Sequence, residues 1–339
     1  MAVTLKDIAK RVGKSVTTVS RALHDFNDVS PETKELVRQT AVEMGYYPSS
    51  FAQRLQKQKS DTIGFVLPTY GPRFTDPFFS EFLAGVGMKA GSLGFDILVS
   101  TCPPGDQELF SYQNKVQTRR VDGFIIVRTR KVDIRIEYLC QAGFPFVSFG
   151  RTEGPCNFSW VDEDGESGMQ MIINHLVKRG FKRIAFLAAP DNLMFAHYRF
   201  NGFINGLKTH NLPIDESLIL HGDLTLRDGY AKTNTLLNLP ELPDAIVASN
   251  DLMAIGAISA VQEKGLKVGK DIAITGFDDT TMAEHSHPPL TTVNQPVYKI
   301  GGMVTEMLIN KIRGISLVED NFLLKPSLVI RQSCGGAIV

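Results

Sequence analysis

Two groups of residues have types and spacings suited to chemistry, and they lie far apart in the chain. The first occupies residues 4–24, TLKDIAKRVGKSVTTVSRALH. Thr17, Thr18, Ser20 and Arg21 are interleaved there with apolar Val16, Val19, Ala22 and Leu23. Small hydroxyl side chains and one guanidinium on the outward face of a short helix can lie in a major groove and hydrogen-bond base edges. Val16, Thr17 and Arg21 occupy the first turn and outer face, so they are the expected base readers. The second group follows β-like runs in the body. Asn250-Asp251 follows residues 245–249, and Asp278-Asp279 follows residues 272–277. Arg128 and Arg151 end or follow other runs, and Asp76-Pro77-Phe78-Phe79 follows the first of them. Arg199 opens a helical stretch, AHYRFNGF. An Arg, an Asn and an Asp converging on a cleft can bond vicinal hydroxyls from several directions, while an aromatic face covers a sugar ring's C–H side. Asn250 is equally able to cap a helix from Leu252, and Asp278 to cap a turn, so the residues alone leave both roles open.

The elements that must position the first group are short helices. Leu5, Ile8, Ala9 and Val12 recur at helical spacing. Thr4 with Asp7 three residues on makes a capping-box pattern, Gly13 ends the helix, and Ser15 caps the next. Ser30 with Pro31 starts a third helix carrying Leu36, Val37, Thr40, Ala41 and Met44, with Gly45 as its stop. Residues 50–56, SFAQRLQ, have the length of about two helical turns, too short to be stable alone in water.

The second group rests on alternating strands and helices. Strand-like runs at 63–68, 95–100, 123–127 and 145–149 are followed by a second set at 183–187, 245–249 and 271–276. Such alternation predicts parallel sheets covered by helices, here in two doubly wound subdomains with ligand chemistry at the carboxyl ends of the strands. The fold class is therefore α/β, a helix-turn-helix head on a two-subdomain body.

Charge is distributed to match. The chain has 36 basic and 36 acidic residues, yet residues 1–60 carry ten Lys or Arg against six Asp or Glu. A modestly basic head on a mildly acidic body suits phosphate contact by the head alone. Cys102, Cys140, Cys156 and Cys334 are far apart and without zinc-like spacing, and they read as separate thiols in a reducing compartment. No basic-then-apolar leader and no run of eighteen apolar residues occurs, so the expected location is the cytoplasm, at the nucleoid, away from any membrane.

The stretches TLKDIAKRVGKSVTTVSRALH, VSPETKELV, GYYPSSFAQRL and IGFVLP together resemble the LacI/GalR family of transcription regulators, and the resemblance runs over essentially the whole chain. It implies a DNA-binding domain at 1–48, a hinge helix at 49–60 and an effector and dimerisation domain at 61–339. It further implies that the chain crosses between subdomains more than once, with the first about 61–160 plus 292–321 and the second about 161–291 plus 322–339. By the same resemblance Thr4, Leu5, Ser15, Val16, Thr17, Thr18, Ser20 and Arg21 meet DNA. Ser50, Ala52 and Leu55 belong to the hinge, and Leu55 wedges between base steps in the minor groove. VASNDLMAIGA and ITGFDD match the family's effector motifs. Arg199, Asn250 and Asp278, with Asp76, Phe78, Arg128, Arg151, Leu224 and Gln295, are thus the expected effector contacts. Trp160 reads either as a sugar-stacking ring or as part of the subdomain junction.

Catalysis is not indicated. There is no Gly-x-Ser-x-Gly elbow, no phosphate loop of the Gly-x-x-x-x-Gly-Lys type and no dinucleotide Gly-x-Gly-x-x-Gly after a strand. No cofactor is expected and no metal site. His285 and His287 sit in a Pro-Pro-Leu-Thr-Thr-Val context that resembles the family's joining loop, and Asp162-Glu163-Asp164 reads as the cap of the helix that follows. The expected function is a sequence-specific repressor of carbohydrate-use genes, a homodimer on a pseudo-palindromic operator, released by a small sugar. TTVSRALH, DPFFSEFLAGVG, FVSFGR and HYRFNGF look most similar to regulators of α-glucoside or oligosaccharide use. The alternatives are a corepressor logic in which ligand tightens DNA binding, and a sugar-binding protein without a DNA role. Binding of a phosphocarrier protein is not favoured by any motif.

Overall fold

Local capping and short apolar repeats shape the first unit of the protein. The structure, a computed structural model, describes residues 3–46, 59–69, 76–103, 105–154 and 156–336. It separates into two compact units, residues 1–59 and 60–339. The segment expected to form the hinge helix, with Ser50, Ala52 and Leu55, lies outside the described residues.

In the first unit α1 spans Leu5–Val12 and α2 spans Val16–Leu23. The N–H and the hydroxyl of Thr4 both donate to the Asp7 carboxylate, at 2.9 and 2.7 Å. Gly13, at φ +66°, takes the left-handed conformation that closes α1, where a side chain would be strained. The Ser15 hydroxyl accepts from the Thr18 N–H at 3.0 Å, and α2 begins. Helix α3, Pro31–Glu43, starts at Pro31 behind the Ser30 cap. Ile8, Val19, Ala22 and Val37 interlock as its core. Leu36, expected on the inner face of α3, is instead half in solvent, and Val37, Thr40 and Ala41 carry the packing.

Among the described residues the second unit holds two six-stranded sheets. The first sheet has the order β11-β5-β4-β3-β1-β2, with β1 Thr62–Pro68, β2 Asp96–Cys102, β3 Gly123–Ile126, β4 Phe146–Phe149, β5 Ser159–Glu163 and β11 Asn321–Leu324. The second has the order β12-β10-β9-β8-β6-β7, with β6 Ile184–Ala188, β7 Ile219–His221, β8 Ala245–Ala248, β9 Ala273–Asp278, β10 Thr291–Asn294 and β12 Ser327–Val329. Pairing is parallel except between β10 and β12. Every residue of β1 is buried, as expected of a central parallel strand covered on both faces.

Helices α4 Pro77–Ser92, α5 Asp106–Gln117, α6 Ile134–Gln141 and α12 Val297–Arg313 belong with the first sheet. Helices α7 Gly165–Lys178, α8 Met194–Thr209, α9 Leu226–Leu236, α10 Asp251–Glu263 and α11 Thr281–His285 follow strands of the second. Helices α4 and α12 approach closely because Gly85 lies against the Tyr298 carbonyl and Gly301 against that of Phe82. A Cβ at either would overlap backbone.

The sheets correct the expected subdomain borders by a few residues. Strand β5 extends the first subdomain to Glu163, and β10 keeps 291–294 in the second because Thr291↔Thr275 and Asn294↔Asp278 pair with β9. Strand β11 pairs with β5, so the first subdomain runs on to Leu324. The expected four separate thiols also need correction. The chain after β4 returns past the end of α6, and Cys140 and Cys156 form a disulfide with Cα atoms 6.5 Å apart. Cys102 and Cys334 are free thiols. Among the described residues no helix is long and apolar enough to cross a membrane.

A fully buried ionic cluster supports the first sheet. Arg135 bonds Glu108 at 2.8 Å and Asp133 at 2.6 Å, and donates to the Arg128 carbonyl at 3.0 Å. Arg130 joins the same Glu108. Burial and Arg135 compete at Asp133, and the hydrogen bonds and charge of Arg135 hold its carboxyl below the usual value.

Candidate functional site

Arg128 at φ +49° and Leu224 at φ +70°, which follow strands, and Asp278 at φ +122°, the last residue of β9, have left-handed backbone without being glycine. All three line one cleft in the second unit, about 700 Å³ including its mouth. Strained backbone of this kind persists where surrounding structure over-determines it, and it clusters at binding sites.

From the first sheet, Asp76 caps α4 by accepting the Phe78 N–H at 3.2 Å, and its other oxygen accepts from Arg128 at 2.9 Å. The Arg128 guanidinium also lies 4.8 Å from the Phe79 ring centre. Phe78, Phe149 and Phe82 stack in near-parallel planes, with Phe78 and Phe149 centroids 5.9 Å apart, giving the cleft an aromatic wall. From the second sheet, Arg199 on α8 is buried over Phe277, 3.7 Å from its ring centre, and 3.5 Å from Asp278. It also donates to the Ser249 carbonyl. Gln295 donates to Asp278 at 2.6 Å.

Asn250 combines the two roles that the residues left open. Its carbonyl oxygen accepts the Met253 N–H at 3.0 Å and caps α10, and its amide donates to the Leu224 carbonyl at 3.0 Å. It lines the cleft as well. Of the nine expected effector residues, eight line the cleft: Asp76, Phe78, Arg128, Arg199, Leu224, Asn250, Asp278 and Gln295. Arg151 is outside the lining. Its side chain turns back, donating to Asp162 at 2.7 Å and resting 4.0 Å from the Tyr198 ring centre.

Sequence reasoning missed several lining groups. Phe149, Phe195, Tyr198, Asp162 and Glu163 all reach the cleft. Of Asp162-Glu163-Asp164, only Asp164 caps a helix, accepting the Ser167 N–H at 3.0 Å. The other two end β5 and enter the cleft because that strand ends there. A clue was present in the sequence: two acids in a row at the end of SWV have no ordinary reason to be buried. Trp160 neither lines this cleft nor stacks in it. It borders a second, polar cavity with Lys311 and Asp320.

The cleft's carboxyls are unusual. Burial pushes Asp76 and Asp162 up, against the opposing charges of Arg128 and Arg151. It pushes Asp278 and Glu163 well up, against the pull of Arg199. Asp278 keeps a guanidinium and an amide as partners, whereas Glu163 Oε1 is buried with no hydrogen-bond partner.

The first unit presents a different surface. Thr4, Ser15, Val16 and Thr17 are exposed, and Leu5, Thr18, Ser20 and Arg21 are half-buried. Leu5 packs on the core, and the Thr18 hydroxyl is 2.8 Å from that of Ser15. Val16, at 39 % exposure, has no packing reason to be apolar at that position. Arg21 forms an ion pair with Asp28 at 2.7 Å and covers the Phe26 ring at 4.6 Å. The side-chain geometry suits a helix N-terminus and outer face offered to a groove.

Comparison with known proteins agrees with both units. Residues 4–49 match the bacterial regulatory proteins of the lacI family, and residues 173–334 match the periplasmic binding protein-like domain. The chain is 32% identical to the HTH-type transcriptional repressor CytR of Escherichia coli (strain K12) over 334 residues, 98% of this chain and 96% of CytR. A transcriptional regulator CelR–cellobiose complex is similar with 30% identity and a TM-score of 0.76, covering 98% of this chain and 99% of that one. The lac repressor dimer bound to operator and the anti-inducer ONPF is similar with 30% identity and a TM-score of 0.86, over 98% and 99% of the two chains. A helix-turn-helix unit joined in one chain to two parallel sheets with a cleft, matched end to end by such regulators, is a transcription regulator and not an enzyme: the chain belongs to the lacI family of bacterial regulatory proteins.

Proposed function

We propose that this regulator is a cytoplasmic repressor of carbohydrate-use genes, held on a pseudo-palindromic operator as a homodimer and released when a small sugar enters the cleft. The observation that carries the reading is the cleft's composition. One wall is a stack of Phe78 and Phe149, and facing groups include the Asn250 amide, the Asp76 carboxylate and the Arg199–Asp278 pair. Flat apolar rings suit a sugar's C–H face, and fixed donors and acceptors suit its hydroxyls. Val16, Thr17 and Arg21 are the base readers in this reading, and the hinge residues Ser50, Ala52 and Leu55 complete the DNA contact. Exposed apolar side chains on both subdomains, Met88 and Val99 on the first and Leu226 and Met282 on the second, support burial against a second copy. The cellobiose in the CelR complex supports the sugar assignment.

Ligand can change DNA affinity only by its differential affinity for two states of the protein. The test is operator binding by fluorescence anisotropy with and without sugars found by thermal shift. Weaker operator binding with a bound sugar supports an inducer. Tighter binding replaces it with a corepressor, and no sugar binding at all overturns the proposal.

A further inference from the structure

The charged groups of the cleft do not sum to pairs. Arg128 faces Asp76 at 2.9 Å, Arg199 faces Asp278 at 3.5 Å, and behind the wall Arg151 holds Asp162 at 2.7 Å. Each guanidinium thus has its own carboxylate. Among the described lining residues one carboxyl is left over, that of Glu163, at the last residue of β5. It is 4 % exposed, it lines the cleft, and its Oε1 has no hydrogen-bond partner; the Nε of Arg199 is likewise buried and unpartnered. A buried polar atom without a partner costs free energy that a ligand group can recover.

We infer that Glu163 is a ligand-contacting residue and that it makes the cleft selective for an uncharged glycoside over a sugar phosphate. The inference rests on the sugar reading proposed above and narrows it. Among the described lining residues both guanidinium groups are already paired with Asp76 and Asp278, so a phosphate would enter with no unpaired cation, and Glu163 supplies none. Desolvating a dianion without a new partner is strongly unfavourable.

The protonation of Glu163 follows from its neighbours. Burial raises its affinity for a proton, and the carboxylates of Asp278, Asp162 and Asp164 raise it further. Arg199 opposes them. The Arg199 charge is shared with Asp278, which also accepts from Gln295. Burial favours the proton at both Asp278 and Glu163, and at Glu163, whose Oε1 has no partner, Arg199 alone opposes it. A neutral carboxyl offers one O–H donor and one carbonyl acceptor, which fits a hydroxyl or ring oxygen of a sugar. Since the bound state prefers protonated Glu163, ligand affinity falls as pH rises through the pKa of this group.

Titration calorimetry on the full chain tests this, with maltose, trehalose, cellobiose, glucose 6-phosphate, trehalose 6-phosphate and glucosamine as probes. A neutral disaccharide is expected to bind and the two phosphates are not. Glu163→Gln keeps a neutral donor and acceptor, so it should retain the affinity and flatten its decline at high pH. Glu163→Ala should weaken the sugar by about tenfold, the worth of a hydrogen bond in a dry site. Operator binding by both variants reports that they fold. A phosphate bound more tightly than its parent sugar overturns the inference. Preference for glucosamine, lost in Glu163→Gln, also overturns it, because that would make Glu163 an anion that pairs with an amine. A disaccharide that binds equally to wild type and Glu163→Ala removes this inference alone. No sugar binding at all removes the sugar reading with it.

Discussion

The Thr292 hydroxyl on β10 donates to the Asp251 carboxyl on α10 at 2.6 Å, and neither side chain reaches solvent. The other Asp251 oxygen accepts the N–H and hydroxyl of Thr280 at 2.7 and 3.0 Å. Burial outweighs these donors and pushes the carboxyl up from 3.8 to about 7. Between those values the unfolded chain has lost the proton that the folded chain keeps. Stability from this group is full below the lower value and is lost as pH rises through the upper one. Asp76, Asp162, Glu163 and Asp278 are shifted in the same direction. His175, pulled down by burial, opposes them only below its ordinary value of 6.5. The melting temperature of the ligand-free chain should therefore be higher at pH 6.5 than at pH 8. A scan showing the reverse would count against the buried carboxyls being protonated.

Arg21 is expected to leave Asp28 when it meets DNA. Both side chains are substantially exposed, so their ion pair is weak and separable. Arg21→Ala should cost roughly 1–3 kcal/mol at an operator half-site and relax discrimination there. Asp28→Asn should strengthen operator binding by freeing the guanidinium. Competition assays with operator and random duplexes separate the cases. Equal loss on both duplexes for Arg21→Ala would make Arg21 a phosphate contact.

Asp278→Asn should keep operator binding and lose the response to sugar. Asn preserves the side-chain shape at a backbone φ of +122° while removing the charge that holds Arg199. Loss of a charged hydrogen-bond acceptor is worth about 1.5–3 kcal/mol, so sugar affinity should fall by about one to two orders of magnitude. Calorimetry with the sugar and anisotropy with the operator give the two readouts.

Arg135→Ala should destabilise the body, and it also removes the donor to the Arg128 carbonyl beside the cleft. It would leave the carboxylates of Glu108 and Asp133 buried with a missing partner. Breaking one member of a buried ionic cluster typically costs about 3–5 kcal/mol. Chemical denaturation should report a shift of this size. Arg135→Met together with Glu108→Gln and Asp133→Asn should recover part of it.

Local signals made some of this structure legible in the sequence. The caps Ser15 and Ser30 and the turn at Gly13 lie within a few residues of the helices they end or begin, so the first unit could be read directly. Apolar runs such as IGFVLP disclosed the central strands. Strand β5 was hidden because two of its five residues are acids turned toward the cleft. Strands β10 and β11 are four residues long and take their conformation from neighbours distant in sequence, whereas the apolar run 328–330 already pointed to β12. Arg151 follows β4 in a suitable place, yet only its tertiary partners Asp162 and Tyr198 decide that it turns away. Phe195 and Tyr198 come from the first turns of α8, and nothing in their sequence spacing tells that they meet Asp76 across the cleft.

The order in which the chain visits the two sheets also governs how it is made. Strands β1 to β5 emerge first, but Val297, Ile300, Val304 and Leu308 of α12 complete the core beneath them. Strands β6 to β10 must all be synthesised before α12 arrives, and β11 comes later still. During translation the first sheet waits with one apolar face covered by α4 alone, a condition in which growing chains meet chaperones and aggregate. The second sheet likewise receives β12 only near the end. Premature termination before α12 therefore yields neither a smaller sugar receptor nor a soluble half, but an incomplete layer exposed to proteolysis.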